Sequence, residues 1–138
     1  MGQTTVKNFR DLRVYQAARS ASFEIFVLSK KFPPEEKYSL TDQIRRAARS
    51  VSANIAEGWK KRRYPASFVS KLTDADSEAG EVQSWLHSSL DCEYITQQEY
   101  EDLDETYRRI GAQLNSMIQR PHQWCDRQAS RNKVRKAR

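Results

Sequence analysis

The sequence predicts an all-α protein, an antiparallel up-down four-helix bundle, and three observations predict it. Apolar residues recur at spacings of three and four throughout, with no alternating strand pattern. Proline-containing breaks at Phe32-Pro33-Pro34, Tyr64-Pro65 and Pro121 cut the chain into helix-length pieces. The links between the pieces are short, and short links force neighbouring helices to run in opposite directions. A length of 138 residues is one domain's worth. At this size a single core buries roughly 68–70% of the surface the unfolded chain exposes, so no staples are required.

Helix 1 is expected from about Asp11 to Lys31, with Leu12, Tyr15, Ala18, Ile25 and Leu28 on one face. It stops at Phe32 because a proline disfavours helix in the residue before it. Ser39 or Thr41 caps helix 2, which carries Leu40, Ile44, Ala47, Val51 and Ile55 inward. Pro65 suits the first turn of helix 3, whose stripe is Phe68, Leu72, Ala75, Ala79, Val82 and Leu86, running out near Asp91-Cys92. Thr96 and Glu99 form a capping box for helix 4, with Tyr100, Leu103, Tyr107, Ile110, Leu114 and Met117 as its stripe. The bundle domain is thus expected over residues 1–125. Residues 126–138 (DRQASRNKVRKAR) hold almost no apolar side chain and read as a basic, disordered tail.

Charge is unevenly spread. Residues 1–63 hold 14 Lys/Arg against 6 Asp/Glu, residues 64–120 hold 4 against 11, and residues 121–138 hold 6 against 1. The formal net charge of +6 therefore owes much to the tail, while the domain itself is nearly neutral but bipolar. A basic isoelectric point alone is then weak support for nucleic-acid binding.

The segment RRAARSVSANIAEGWKKRR, Arg45 to Arg63, separates into three faces on a helical wheel of about 100° per residue. Leu40, Ile44, Ala47, Val51, Ile55 and Gly58 form the core face. Arg45, Arg49, Lys60 and Arg63 lie nearly opposite. Ser50, Asn54, Glu57 and Lys61 make a polar flank. The basic face is either a solvated side or a surface that tracks phosphates by displacing counterions; Arg45, Arg46, Arg49, Lys60, Lys61, Arg62 and Arg63 are its candidate contacts. Aromatic support for such a surface is limited to Trp59 and Tyr64 nearby. Glu57 and Lys61 are ordered for an i,i+4 pair. Gly58 costs up to about 1 kcal/mol in helix propensity relative to alanine, which points to a close backbone approach or a helix end. Asn54, Glu57 and Gly58 together read as a packing seam, between helices or between subunits.

These residues carry a family resemblance. TDQIRRAARSVSANIAEGWKKRR resembles the signature of the four-helix-bundle proteins of the S23 family, first described as open reading frames within intervening sequences of bacterial 23S ribosomal RNA genes. The resemblance extends to FRDLRVYQAA (Phe9–Ala18), Phe32-Pro33 with Glu36, LTDADSEAGEVQSWL (Leu72–Leu86), EYIT (Glu93–Thr96) and Pro121-x-x-Trp124. Asp76-Ser77 departs from the Gly-Ser that many members carry. The resemblance implies a homopentameric ring, in a family for which no enzymatic activity is established. It also implies kinship with the accessory protein of diversity-generating retroelements, which engages RNA and reverse transcriptase through a basic surface. A bipolar protomer suits a ring, because head-to-tail contacts are heterologous.

Several chemistries are set aside. Neither His87 nor His122 has a glutamate three residues before it, so the Glu-x-x-His pairs of di-iron bundles are missing. Val82 and Met117 occupy the arginine position of the R-x-x-x-x-H signature of helical-bundle ribonucleases. Cys92 and His122-x-x-Cys125 flank a helix of about 24 residues, roughly 36 Å apart, too far for one zinc. Four glycines leave little room for a phosphate loop. Trp85, Trp124 and the tyrosines of helix 4 read as core or boundary fillers. The expectation is a cytoplasmic, non-enzymatic protein with no metal or cofactor, no membrane contact and no small-molecule substrate. It binds RNA or a ribonucleoprotein through helix 2 and the tail; the alternative is a protein–protein scaffold.

Overall fold

A computed structural model describes residues 5–126; apart from Asp126, the predicted tail lies outside them. Four helices carry the fold: α1 (Arg13–Ser29), α2 (Leu40–Lys60), α3 (Pro65–Asp91) and α4 (Gln97–Gln119). Among the described residues there is no strand, and no helix is long and apolar enough to cross a membrane.

α1 is shorter than the sequence suggests, for identifiable reasons. Asn8 caps a separate 3-10 turn, Phe9–Asp11, accepting from the Arg10 amide at 2.8 Å. The Asp11 carboxylate accepts the amides of Lys7 and Asn8 at 2.9 and 3.1 Å, which holds its pKa below the usual carboxylate range. Asp11 is thus consumed before the helix, Leu12 is extended, and α1 begins at Arg13. Leu12 stays in the core, at 3% exposure, but just ahead of the helix. Val14, Ala18, Ala21, Ile25 and Ser29 are buried within α1, while Tyr15 and Leu28 are only half-buried.

At the start of α2, Ser39 is the capping position, but its hydroxyl donates to Glu36 (2.7 Å) instead of capping; Thr41 lies buried inside the helix. Glu36 also accepts from the Tyr94 hydroxyl at 2.9 Å, joining the α1–α2 link to the α3–α4 link. The Ser39 and Tyr94 hydroxyls lower the Glu36 pKa, and the carboxylate pushes Tyr94 up to about 12. At α4 the expected box is present: Thr96 Oγ1 accepts from the Glu99 amide (3.1 Å) and Glu99 accepts from the Thr96 amide (2.8 Å).

Cross-helix pairs fix the directions. Glu57 meets Lys71 and Arg46 meets Glu81, so residue number falls along α2 as it rises along α3. Gln83 with Asp104, and Asp76 beside Gly111, show the same opposition between α3 and α4. Each helix packs on its two chain neighbours, with α1 closing on α4. The shared core holds Ile25, Ile44, Val51, Ile55, Phe68, Leu72, Val82, Leu86, Tyr107, Ile110 and Leu114, all at most 1% exposed. Each of the larger aliphatic or aromatic side chains contributes roughly 1.5–3 kcal/mol through burial. Ala18, Ala21, Ala47, Ala48, Ala75 and Ala79 line the inner faces and let the helices approach closely.

Candidate nucleic-acid interface

The three faces of α2 meet three different neighbours. Gly58 is buried against α3: a Cβ there would lie 3.2 Å from Leu72 Cδ2 and 3.3 Å from Lys71 Cβ. The glycine is therefore an inter-helix approach within one protomer. Glu57 bonds Lys71 of α3 at 2.8 Å rather than Lys61. Lys61, the C-cap, makes no ion pair with Glu57. The Lys71 contact lowers the Glu57 pKa, and the Lys61 charge adds to the lowering. Asn54 is half-buried and donates to the Ser50 carbonyl at 2.9 Å, so its amide is occupied within its own helix.

Arg45 and Arg49 are not simply solvated on the outer face; they lean onto α1. The Arg45 guanidinium carbon sits 4.8 Å from the centre of the Phe26 ring, and Arg49 reaches 5.9 Å. Lys30, the C-cap of α1, approaches the same ring at 4.8 Å. Arg45 Nε donates to Ser29 Oγ at 2.7 Å. Arg46, one residue round the helix, turns the other way and faces Glu81 of α3 at 3.7 Å.

The last four cations gather at the α2–α3 turn. Lys60, Lys61 and Arg63 are exposed, and no carboxylate lies within 4 Å of them among the described residues. Arg62 instead lies over the Trp59 ring at 3.5 Å and donates through Nε to the Trp59 carbonyl at 2.9 Å. It also faces the Asp126 carboxylate at 3.9 Å, and its carbonyl accepts the Asp126 amide at 3.1 Å. The point where the described chain ends is thus tied to the basic turn, and the following twelve positions contain six Lys/Arg and no acid.

The positions most difficult to find from sequence are Phe26, Ser29, Lys30 and Asp126. Phe26 and Lys30, the C-cap of α1, stand four apart, a legible pair, but their meeting with Arg45 depends on the register between two helices. Asp76 extends across the α3–α4 seam to Gly111, not toward α2. Cys92 is exposed and Cys125 half-buried, both as free thiols, and no cluster of three metal-binding side chains occurs among the described residues.

The seam also holds one unfavourable charge. One Glu78 carboxylate oxygen is buried without a hydrogen bond among the described residues. Burial, then the neighbouring Glu81 charge, raises its pKa. The folded state therefore binds the proton more readily than the unfolded chain, so ionised Glu78 opposes folding at neutral pH. That opposition fades as pH falls through the raised pKa. Glu78→Gln is expected to raise the melting temperature at pH 7, with the gain shrinking in scans at progressively lower pH. An equal gain at every pH would exclude the charge as its cause.

Comparisons with known proteins place this geometry. No curated protein matches the chain. Among solved structures, a protein of unknown function from the S23 ribosomal protein family of Bacteroides thetaiotaomicron is similar with a TM-score of 0.69 and 32% identity. The match covers 76% of this chain and 97% of that one. The family model for the 23S rRNA-intervening sequence protein matches residues 10–116, from the turn before α1 almost to the end of α4. Fold and sequence agree: the chain belongs to the 23S rRNA-intervening sequence protein family.

Proposed function

We propose that the protein is a non-enzymatic, oligomeric bundle that binds RNA, or a ribonucleoprotein partner such as one built around a reverse transcriptase. Its contact surface is the basic side of α2 together with the chain that follows Asp126. One observation supports this above others: Lys60, Lys61 and Arg63 stand exposed at a single turn without carboxylate partners among the described residues, beside the start of a basic segment. Acidic residues crowd α3 and α4 instead. Lysine and arginine that neutralise phosphates release condensed counterions, which supplies affinity without sequence preference.

A salt titration with structured RNA tests the reading. Log K is expected to fall linearly with log salt. Lys60→Gln, Lys61→Gln and Arg63→Gln together should flatten the slope by up to about 0.9 per lost duplex-like contact. No binding at low salt would remove RNA and leave the protein scaffold. Homo-oligomerisation, as a pentameric ring, draws support from the bipolar charge and from the exposed Phe23 and Val27, at 65% and 51%, in a groove with Leu28 and Leu103 between α1 and α4. Light scattering at low and high salt would find more than one protomer per particle; a monomer in both would remove the ring.

A further inference from the structure

Three cations share one aromatic ring on the α1–α2 face. Lys30 Nζ and Arg45 Cζ each lie 4.8 Å from the Phe26 centroid, and Arg49 Cζ lies 5.9 Å from it. Every pair among them is therefore within about 11 Å, roughly one Debye length at 0.1 M salt. Among the described residues no carboxylate approaches any of the three within 4 Å. The other arginines of the basic segment that make close contacts, Arg46 and Arg62, do face carboxylates. Like charges at this separation repel, and the ring quadrupole offsets only part of that repulsion.

The arrangement is also oriented. Ser29 is 2% exposed, and its hydroxyl donates to the Phe26 carbonyl at 3.1 Å while accepting Arg45 Nε at 2.7 Å. One edge of the Arg45 fork is thereby fixed to α1. Its two terminal amino groups make no hydrogen bond among the described residues. A planar fork with two free terminal amino groups can direct two parallel N–H donors at two oxygens of one phosphate, a geometry that a lysine cannot reproduce. Lys30 and Arg49 flank it as further positive charges.

We infer that Lys30, Arg45 and Arg49, assembled on Phe26 and oriented by Ser29, form a phosphate clamp that grips one phosphodiester of an RNA strand. This rests on the RNA reading for the source of the phosphate, but not for the clamp itself. It divides the basic side of α2 into a diffuse contact at the α2–α3 turn and a geometric one about 20 Å away along the helix.

Two measurements on the full chain decide it. In the first, inorganic phosphate replaces chloride at constant ionic strength during thermal melts. Phosphate is expected to raise the melting temperature of the wild type well beyond the rise seen in Arg45→Gln/Arg49→Gln, which reports only the general stabilisation by an excluded anion. Arg45→Lys, which keeps the charge and loses the fork, and Ser29→Ala, which frees it, should each forfeit most of the gain. An equal response from wild type and double variant, or none from either, overturns the clamp.

In the second, fluorescence anisotropy follows a labelled single-stranded RNA. Arg45→Gln/Arg49→Gln is expected to weaken binding roughly tenfold or more, from the loss of two of the three cations that hold one phosphate. Arg108→Gln/Arg109→Gln on α4, with the same change in net charge, should change it far less. If both doubles weaken RNA equally, the clamp is not the RNA contact, while the wider reading stands. If the wild type responds to phosphate yet binds no RNA, the clamp holds a small phosphate and the RNA reading fails.

Discussion

Gly58→Leu is expected to destabilise the bundle by about 3 kcal/mol, the upper part of the range for overpacking a well-packed interior. The first added carbon would meet Leu72 Cδ2 at 3.2 Å and Lys71 Cβ at 3.3 Å, and three more carbons would need space that α3 already fills. Helix propensity works the other way by up to about 1 kcal/mol, so the loss is net of that gain. Leu72→Ala alone should cost about 2–5 kcal/mol, because Leu72 is 1% exposed and its removal leaves a cavity. Combined, the two changes share one space. The double variant is expected to be more stable than the sum of the single losses predicts, by about 1–3 kcal/mol. Urea unfolding of the four proteins in the cycle measures this, and strictly additive losses would show that Gly58 does not exist to admit Leu72.

Tyr107→Phe carries the opposite sign. The Tyr107 ring is fully buried, and its hydroxyl has no hydrogen bond among the described residues. Burial, with a smaller contribution from the Glu24 charge, raises the phenol pKa well above its usual range, so the group is neutral and desolvated at every working pH. An unsatisfied buried hydroxyl costs about 1–3 kcal/mol. Phenylalanine keeps the ring and removes the cost. The variant is expected to gain at least about 1 kcal/mol, or roughly 3–5 °C in melting temperature for a domain of this size. A loss of stability would mean that the hydroxyl has a partner, and the core around α4 would need to be redrawn.

The parts of this fold that were legible share one property: they depend on residues close in sequence. The stripe Phe68, Leu72, Ala75, Ala79, Val82, Leu86 is buried in full, and the Thr96–Glu99 box is closed as its spacing suggests. α1 shows the limit. Spacing places Leu12 in its stripe; a capped turn ending at Asp11 leaves Leu12 buried but ahead of the helix, and Val14 and Ala21 join Ala18 and Ile25 on the inward face. The flank of α2 shows another. Glu57 and Lys61 stand four apart at the end of the helix, yet Lys71 of α3 takes the carboxylate. Periodicity says which way a residue faces; it does not say which helix is there to meet it. Gly58 against Leu72 and Arg45 against Phe26 both turn on register between helices, which no spacing within α2 encodes.

The link between Asp126 and Arg62 has a mechanical consequence. The Asp126 amide is bonded to the carbonyl of a residue sixty-four positions earlier, and the two side chains face each other at 3.9 Å. Tension applied beyond Asp126 would therefore load the last turn of α2 and its junction with α3 before it could peel α4 from the core. Whatever pulls on the chain at that point, whether a bound polymer or a laboratory handle, pulls first on the segment that holds Lys60, Lys61 and Arg63.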